Sequence, residues 1–121
     1  MKNRQQETGN KGEEIAQEYL LSIGYQILET NWRASHYEID IIARDKDELV
    51  IVEVKARGSD TYEHPSEAVS DKKIRFLINA AEAYIFETDS HLDTRFDVIT
   101  IIFYGQNFEL EHFKDAFYPT A

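Results

Sequence analysis

The chain has 121 residues, 42% of them apolar and 12% aromatic, which is enough for one compact domain with a sizeable core and argues against wholesale disorder. It contains no cysteine, so disulfides, Cys-based zinc sites and a thiol nucleophile are excluded. The net charge of −10 argues against a surface that binds nucleic acid everywhere, and no apolar run approaches the roughly 20 residues of a membrane span.

Residues 1–8, within the polar start MKNRQQETGNKGEE, read as a flexible arm and not as a secretory signal, so a cytoplasmic protein without membrane contact is expected. Asn10-Lys11-Gly12-Glu13 then has the form of a capping box, with Asn10 as N-cap and Glu13 at N3. Ile15, Ala16, Tyr19, Leu20 and Ile23 follow at helical spacing, and Gly24 stands where a left-handed C-terminal residue belongs. A first helix over 10–23 is predicted.

Tyr25–Arg33, Tyr37–Arg44 and Leu49–Arg57 each read as strands. The intervening Ala34-Ser35-His36 and Asp45-Lys46-Asp47 are short polar turns, so the three strands should form an antiparallel meander. After the polar loop 58–64, Pro65, Ser66 and Glu67 suit a helix start. That helix should run to about Phe86, with Val69, Lys73, Phe76, Leu77, Ala80, Ala81 and Tyr84 on one face. Phe96–Tyr104 is nearly all apolar, as in a central strand covered on both faces. Phe108–Phe113 reads as a short edge strand. The order αβββαββ predicts a single α/β domain over 1–121, a mixed sheet flanked by helices.

The third strand carries charges in an otherwise apolar run. Alternation places Leu49, Ile51, Glu53, Lys55 and Arg57 on one face, and Val50, Val52, Val54 and Ala56 on the other. In the second strand, the same rule groups Glu38, Asp40 and Ile42 opposite Ile39, Ile41 and Ala43. Asp40, Glu53 and Lys55 can then converge on one side of the sheet. Buried carboxylates are costly alone and repel when close together, and a divalent cation relieves both penalties. Carboxylate and carbonyl oxygens are the ligands Mg²⁺ prefers, and a neighbouring lysine could orient or deprotonate a water, or neutralise charge on a phosphate. The simpler alternative is a solvated face with Glu53–Lys55 and Asp40–Arg57 as ordinary cross-strand pairs. Glu13 has two readings as well, capping residue or further ligand. Trp32 could stack a base or fill the core.

The same residues carry a family resemblance across nearly the whole chain. Gly9-Asn10-Lys11-Gly12-Glu13, Asn31-Trp32-Arg33, Glu38-Ile39-Asp40-Ile41-Ile42, Val52-Glu53-Val54-Lys55-Ala56-Arg57, Glu67-Ala68-Val69 with Lys73, Arg95-Phe96-Asp97-Val98 and Lys114-Asp115-Ala116-Phe117 occur in this order. The chain resembles the YraN-like family of the PD-(D/E)XK nuclease superfamily, near the archaeal Holliday-junction resolvases. It departs from the family pattern at Tyr37 and Glu63, where glycine is usual, which bears on substrate handling and not on fold.

The resemblance implies a restriction-endonuclease-like core. It implies Asp40 and Glu53 as metal carboxylates with the Val54 carbonyl as a third ligand, Lys55 as the catalytic lysine, and Glu13 as the helix-borne acid that completes the site. The cofactor would be Mg²⁺ or Mn²⁺, and the activity hydrolysis of phosphodiesters in nucleic acid, with branched DNA as one substrate. Residues 1–57 have a net charge of −3 and residues 58–121 of −7, so nucleic acid must be held by a local patch. Arg33, Arg57 and Lys73 are the candidates, although Arg33 and Arg57 could instead pair with Glu38 and Asp40, and Lys73 could be a helix-edge lysine. Two alternatives stand beside the nuclease: a non-catalytic nucleic-acid-binding module, and a DNA-processing partner whose acidic segment 82–97 meets a basic protein. A homodimer is open. No role is assigned to Asp97 or to the scattered histidines.

Overall fold

The computed structural model describes residues 4–59 and 69–117. Its elements are α1 (Arg4–Ser22), β1 (Gln26–Ala34), β2 (Tyr37–Asp45), β3 (Glu48–Gly58), α2 (Asp71–Thr88), β4 (Asp93–Tyr104) and β5 (Asn107–Phe117). The strands form one sheet ordered β1-β2-β3-β4-β5. Neighbours are antiparallel except β3 and β4, which run parallel from Glu48↔Asp93 to Gly58↔Phe103. Tight turns can join antiparallel strands, whereas a parallel pair needs a crossover, and the segment carrying α2 provides it. The protein is therefore an α/β fold with a mixed five-stranded sheet, as expected. Among the described residues no helix is long and apolar enough to cross a membrane.

Each helix covers a separate apolar cluster. Ala16 and Leu20 of α1 pack with Val50, Val52, Ile99 and Ile101. Leu77, Ala80, Ala81 and Tyr84 of α2 pack with Leu49, Ile51 and Phe96. The alternation of β3 between the two clusters is the one its sequence predicts, and each fully buried aliphatic side chain contributes about 2 kcal/mol. Trp32 belongs to the α2-side cluster and meets Tyr84 edge-on, with ring centroids 5.3 Å apart.

α1 ends as anticipated. Gly24 adopts φ +92°, and Gly24 and Tyr25 return N–H bonds to Leu21 and Leu20 in a left-handed terminal motif. Its beginning differs: the helix extends back to Arg4, so residues from Arg4 onward are not an arm, and Asn10 lies inside a helix and not at its cap. Arg4, Gln5, Gln6 and Glu7 are good helix formers, and a helix already docked further along propagates readily through them. Pro65, Ser66 and Glu67 lie outside the described residues. The described helix starts at Asp71, capped by Ser70, whose Oγ accepts the Lys73 N–H at 3.2 Å. Val69 and Ser70 are not helical, which rules out an unbroken helix from Pro65.

β5 is longer than expected. It continues past a register shift to pair Phe117 with Phe96, whose rings stack at 4.9 Å, and Asp115 takes φ +54° there. β2 also departs from simple alternation. Ile39 sides with Ile42 in the α2-side cluster, while Ile41 sides with Ala43 in the α1-side cluster. The phase slips by one residue at Asp40, where the β1–β2 ladder skips Asn31 (φ +51°) and Asp40.

Candidate functional site

The site forms where β2 and β3 part. Their ladder ends at Ile41↔Val52. One residue further on, Asp40 no longer pairs through its backbone with β3. Its carboxylate accepts the Val54 N–H at 2.9 Å, so a side chain takes over the hydrogen bond that the diverging strand gives up. This fixes one Asp40 oxygen against β3, beside Glu53.

Glu53 faces the α2 side and is only 5% exposed. Lys73, in the first turn of α2, approaches its Oε2 at 3.4 Å and lies over the Phe76 ring at 5.2 Å. The cap at Ser70 holds the turn that delivers Lys73. Lys55 and Arg57 continue the Glu53 face of β3 toward its C-terminal end, both partly buried.

Glu13 arrives from the other side of the sheet on α1. Its neighbour Gly12 is buried against β3, and a Cβ there would stand 2.4 Å from the Ala56 Cβ. This close approach brings Glu13 to Asn31, which hydrogen-bonds it, and into the field of Asp40. Burial and the Asp40 charge push the Glu13 carboxyl up to about 7, against the opposing Asn31 hydrogen bond. Glu53 is also held well above the usual carboxylate range. Burial is the main cause, followed by the Asp40 charge and a carboxyl–carboxyl hydrogen bond with Asp40, and Lys73 and Lys55 only partly offset these.

The structure thus brings Glu13, Asp40 and Glu53 into electrostatic contact through Asp40, with Lys73 joined to Glu53 and Lys55 nearby. They do not form a finished cage: among the described residues no three His, Cys, Asp or Glu side chains are gathered so as to hold a metal as they stand. Arg33 is apart from this group, on the exposed edge strand, and pairs with Glu38 at 3.6 Å. For Glu13 the capping alternative falls with the helix start at Arg4.

Sequence reasoning missed Asn31, Ser70 and the role of Gly12. It also left Asp97 without a role, and Asp97, on β4 one register step from Glu53, is the hub of a second polar cluster on the opposite face of the sheet. Its fully buried carboxylate accepts Arg95 Nε and Nη2 at 2.9 and 3.0 Å, His112 Nε2 at 2.7 Å and the Asp115 N–H at 3.0 Å. Arg95 also donates to Asp45, Glu48 and the Tyr25 hydroxyl, and His112 Nδ1 meets the Tyr19 hydroxyl at 3.0 Å. The signal was available: Arg95-x-Asp97 in an apolar strand is the same pattern as Glu53-x-Lys55.

The chain matches the model of the uncharacterised protein family UPF0102 over residues 12–101. It is 46% identical over 115 residues to a UPF0102 protein of Parabacteroides distasonis, covering 95% of each chain. A UPF0102 protein of Bacteroides thetaiotaomicron is 45% identical over 113 residues, 93% of each chain. One from Persephonella marina is 44% identical over 110 residues, 90% of this chain and 91% of the other. With a family match over most of its length and relatives this similar, the chain belongs to the UPF0102 family.

Proposed function

We propose that the protein is a metal-dependent nuclease of the restriction-endonuclease-like, PD-(D/E)XK type, hydrolysing phosphodiester bonds in nucleic acid. The observation that carries this reading is the placement of Asp40 at the parting of β2 and β3, one carboxylate oxygen held by the Val54 N–H and Glu53 beside it. The surplus of buried negative charge, in which Glu13 and Glu53 are both driven toward their neutral forms, is the environment a hard cation would relieve. The donor set suits Mg²⁺ or Mn²⁺, with Asp40 and Glu53 as the principal holders and Glu13 as the third. The ion would polarise the phosphate and make water a better nucleophile at neutral pH.

The chain's own groups would do the rest. Asp40, pinned by Val54, gives the site a fixed oxygen. Lys55, two residues beyond Glu53 on the same strand, would accept a proton from the attacking water or neutralise charge developing on the phosphate. Lys73 and Arg57 would hold the nucleic-acid backbone beside the acids, and Arg33 a more distant stretch of it from the edge strand, with Lys73 exchanging its ion pair with Glu53 for a phosphate. A basic patch of this kind supports binding despite the overall charge of −10, and binding should weaken steeply with salt.

Cleavage assays on branched, duplex and single-stranded DNA and on RNA with Mg²⁺ or Mn²⁺ test the proposal. Lys55→Ala is expected to abolish cleavage without unfolding the protein; a variant that cuts as well as wild type refutes the mechanism. Calorimetry with Mn²⁺ on wild type and Glu53→Gln tests the metal directly, with saturable binding expected only for wild type. One observation favours a second reading, a non-catalytic binding module: Lys73 already occupies Glu53 as an internal counter-cation. Salt-sensitive nucleic-acid binding with no cleavage under any metal would favour that reading.

A further inference from the structure

We propose that Gly12 is a positioning residue for this site, setting the depth at which α1 seats on β3 and so delivering Glu13 to Asp40; the inference rests on the metal-site reading above. Glycine disfavours a helix interior relative to alanine, so a buried glycine in the middle of α1 calls for a reason. The reason is steric. A Cβ at Gly12 would lie 2.4 Å from the Ala56 Cβ, with the Ala56 Cα and the Ile101 Cδ1 each at 3.8 Å. Non-bonded carbons sit at about 3.5–4.0 Å, so any side chain at position 12 would lift the helix from β3 by roughly 1 Å or more.

The obstacle is strand, not a flexible tip. Ala56 lies on β3, a central strand of the sheet, and its Cβ cannot rotate away. Displacement would therefore fall on α1. Glu13 follows Gly12 directly, hydrogen-bonds Asn31 and feels the charge of Asp40. A rigid lift of the helix carries Glu13 away from Asp40 by a comparable distance, and hard-cation sites tolerate little such error in their ligands. Gly12 acts on the site through Glu13.

The test is Mn²⁺ affinity measured by calorimetry on wild type, Gly12→Ala, Glu13→Gln, the Gly12→Ala/Glu13→Gln double variant and the Gly12→Ala/Ala56→Gly double variant. Gly12→Ala is expected to weaken binding about tenfold, as loss of a supporting residue at a metal site commonly does. Ala56→Gly removes the obstacle and should restore wild-type affinity. In the Glu13→Gln background Gly12→Ala should add no further loss, because the two act as one unit. A merely structural glycine would lower melting temperature without obeying this cycle. Unchanged affinity in Gly12→Ala, or an equal loss with and without Glu13, overturns the inference while leaving the metal site standing. Wild type that binds no Mn²⁺ overturns both. Should Gly12→Ala not fold, Ala56→Val enters the same gap from β3: a loss that Glu13→Gln abolishes supports the inference, and unchanged affinity refutes it.

Discussion

Glu53 and Asp97 are buried acids on adjacent parallel strands, one register step apart in the pairings Glu53↔Val98 and Val52↔Asp97, and they point to opposite faces of the sheet. Their surroundings are reversed. Burial alone would raise Asp97, yet hydrogen bonds from His112, Arg95 and the Asp115 N–H hold it below the usual carboxylate range. Glu53 has one cation at 3.4 Å and a second carboxylate pressed against it, and it is held above that range. Burial of charge therefore does not by itself mark a functional site. The useful distinction is whether the fold supplies a full set of partners, as it does around Asp97, or only a partial one, as around Glu53.

This contrast can be broken most severely at Asp97. Asp97→Ala removes the common partner of Arg95 and His112 and leaves buried donors behind, so a loss of about 3–5 kcal/mol is expected in urea unfolding. A loss under about 1 kcal/mol would mean that the cluster is not structural. Glu53→Gln should behave in the opposite way in metal-free protein, with stability unchanged or raised, because a neutral amide replaces a buried carboxyl whose ionised form is poorly compensated. Strong destabilisation by Glu53→Gln would show that the Lys73 ion pair is a structural bond and that the two acids are alike.

The pH dependence sharpens the comparison further. Asp97 has a depressed folded value, so its contribution is present above its ordinary value of 3.8 and is lost as the pH falls through the depressed one. Glu13 has a raised value, so its contribution is fully present below 4.5 and is lost as the pH rises through about 7. The urea midpoint of metal-free protein should therefore decline as the pH rises from 4.5 through 7 to about 8, where the raised Glu53 adds to Glu13, and Glu13→Gln should lessen that decline without altering the acid limb. An acid limb that moves with Glu13→Gln instead would contradict the separation of the two regions.

Much of the site was legible because its pattern is local. Glu53 and Lys55 share a face through strand alternation, which holds wherever a strand is regular. Asp40 was placed on the side of Glu53 for the same reason, but Ile39 was assigned to the wrong face, because the slip opposite Asn31 depends on a second strand. For Arg33 the sequence left two readings open, phosphate contact or a pair with Glu38, and the sheet order places it on an edge strand with the Glu38 pair formed. The helix start was misplaced since Asn10-Lys11-Gly12-Glu13 fits a capping box locally, while propagation back to Arg4 depends on a helix already docked.

By itself the sequence determined what backbone sterics and short-range periodicity decide: five strands and two helices in order, the turns at Ser35 and Lys46, the left-handed stop at Gly24 and the faces of β3. Tertiary structure alone decided what brings distant residues together: the parallel pairing of β3 with β4, the transfer of the Val54 N–H to Asp40, the seat of Gly12 on Ala56, and the joining of Tyr25, Arg95 and His112 around Asp97. Such contacts depend on how two elements stack and in what register, and no local preference encodes the distance between them.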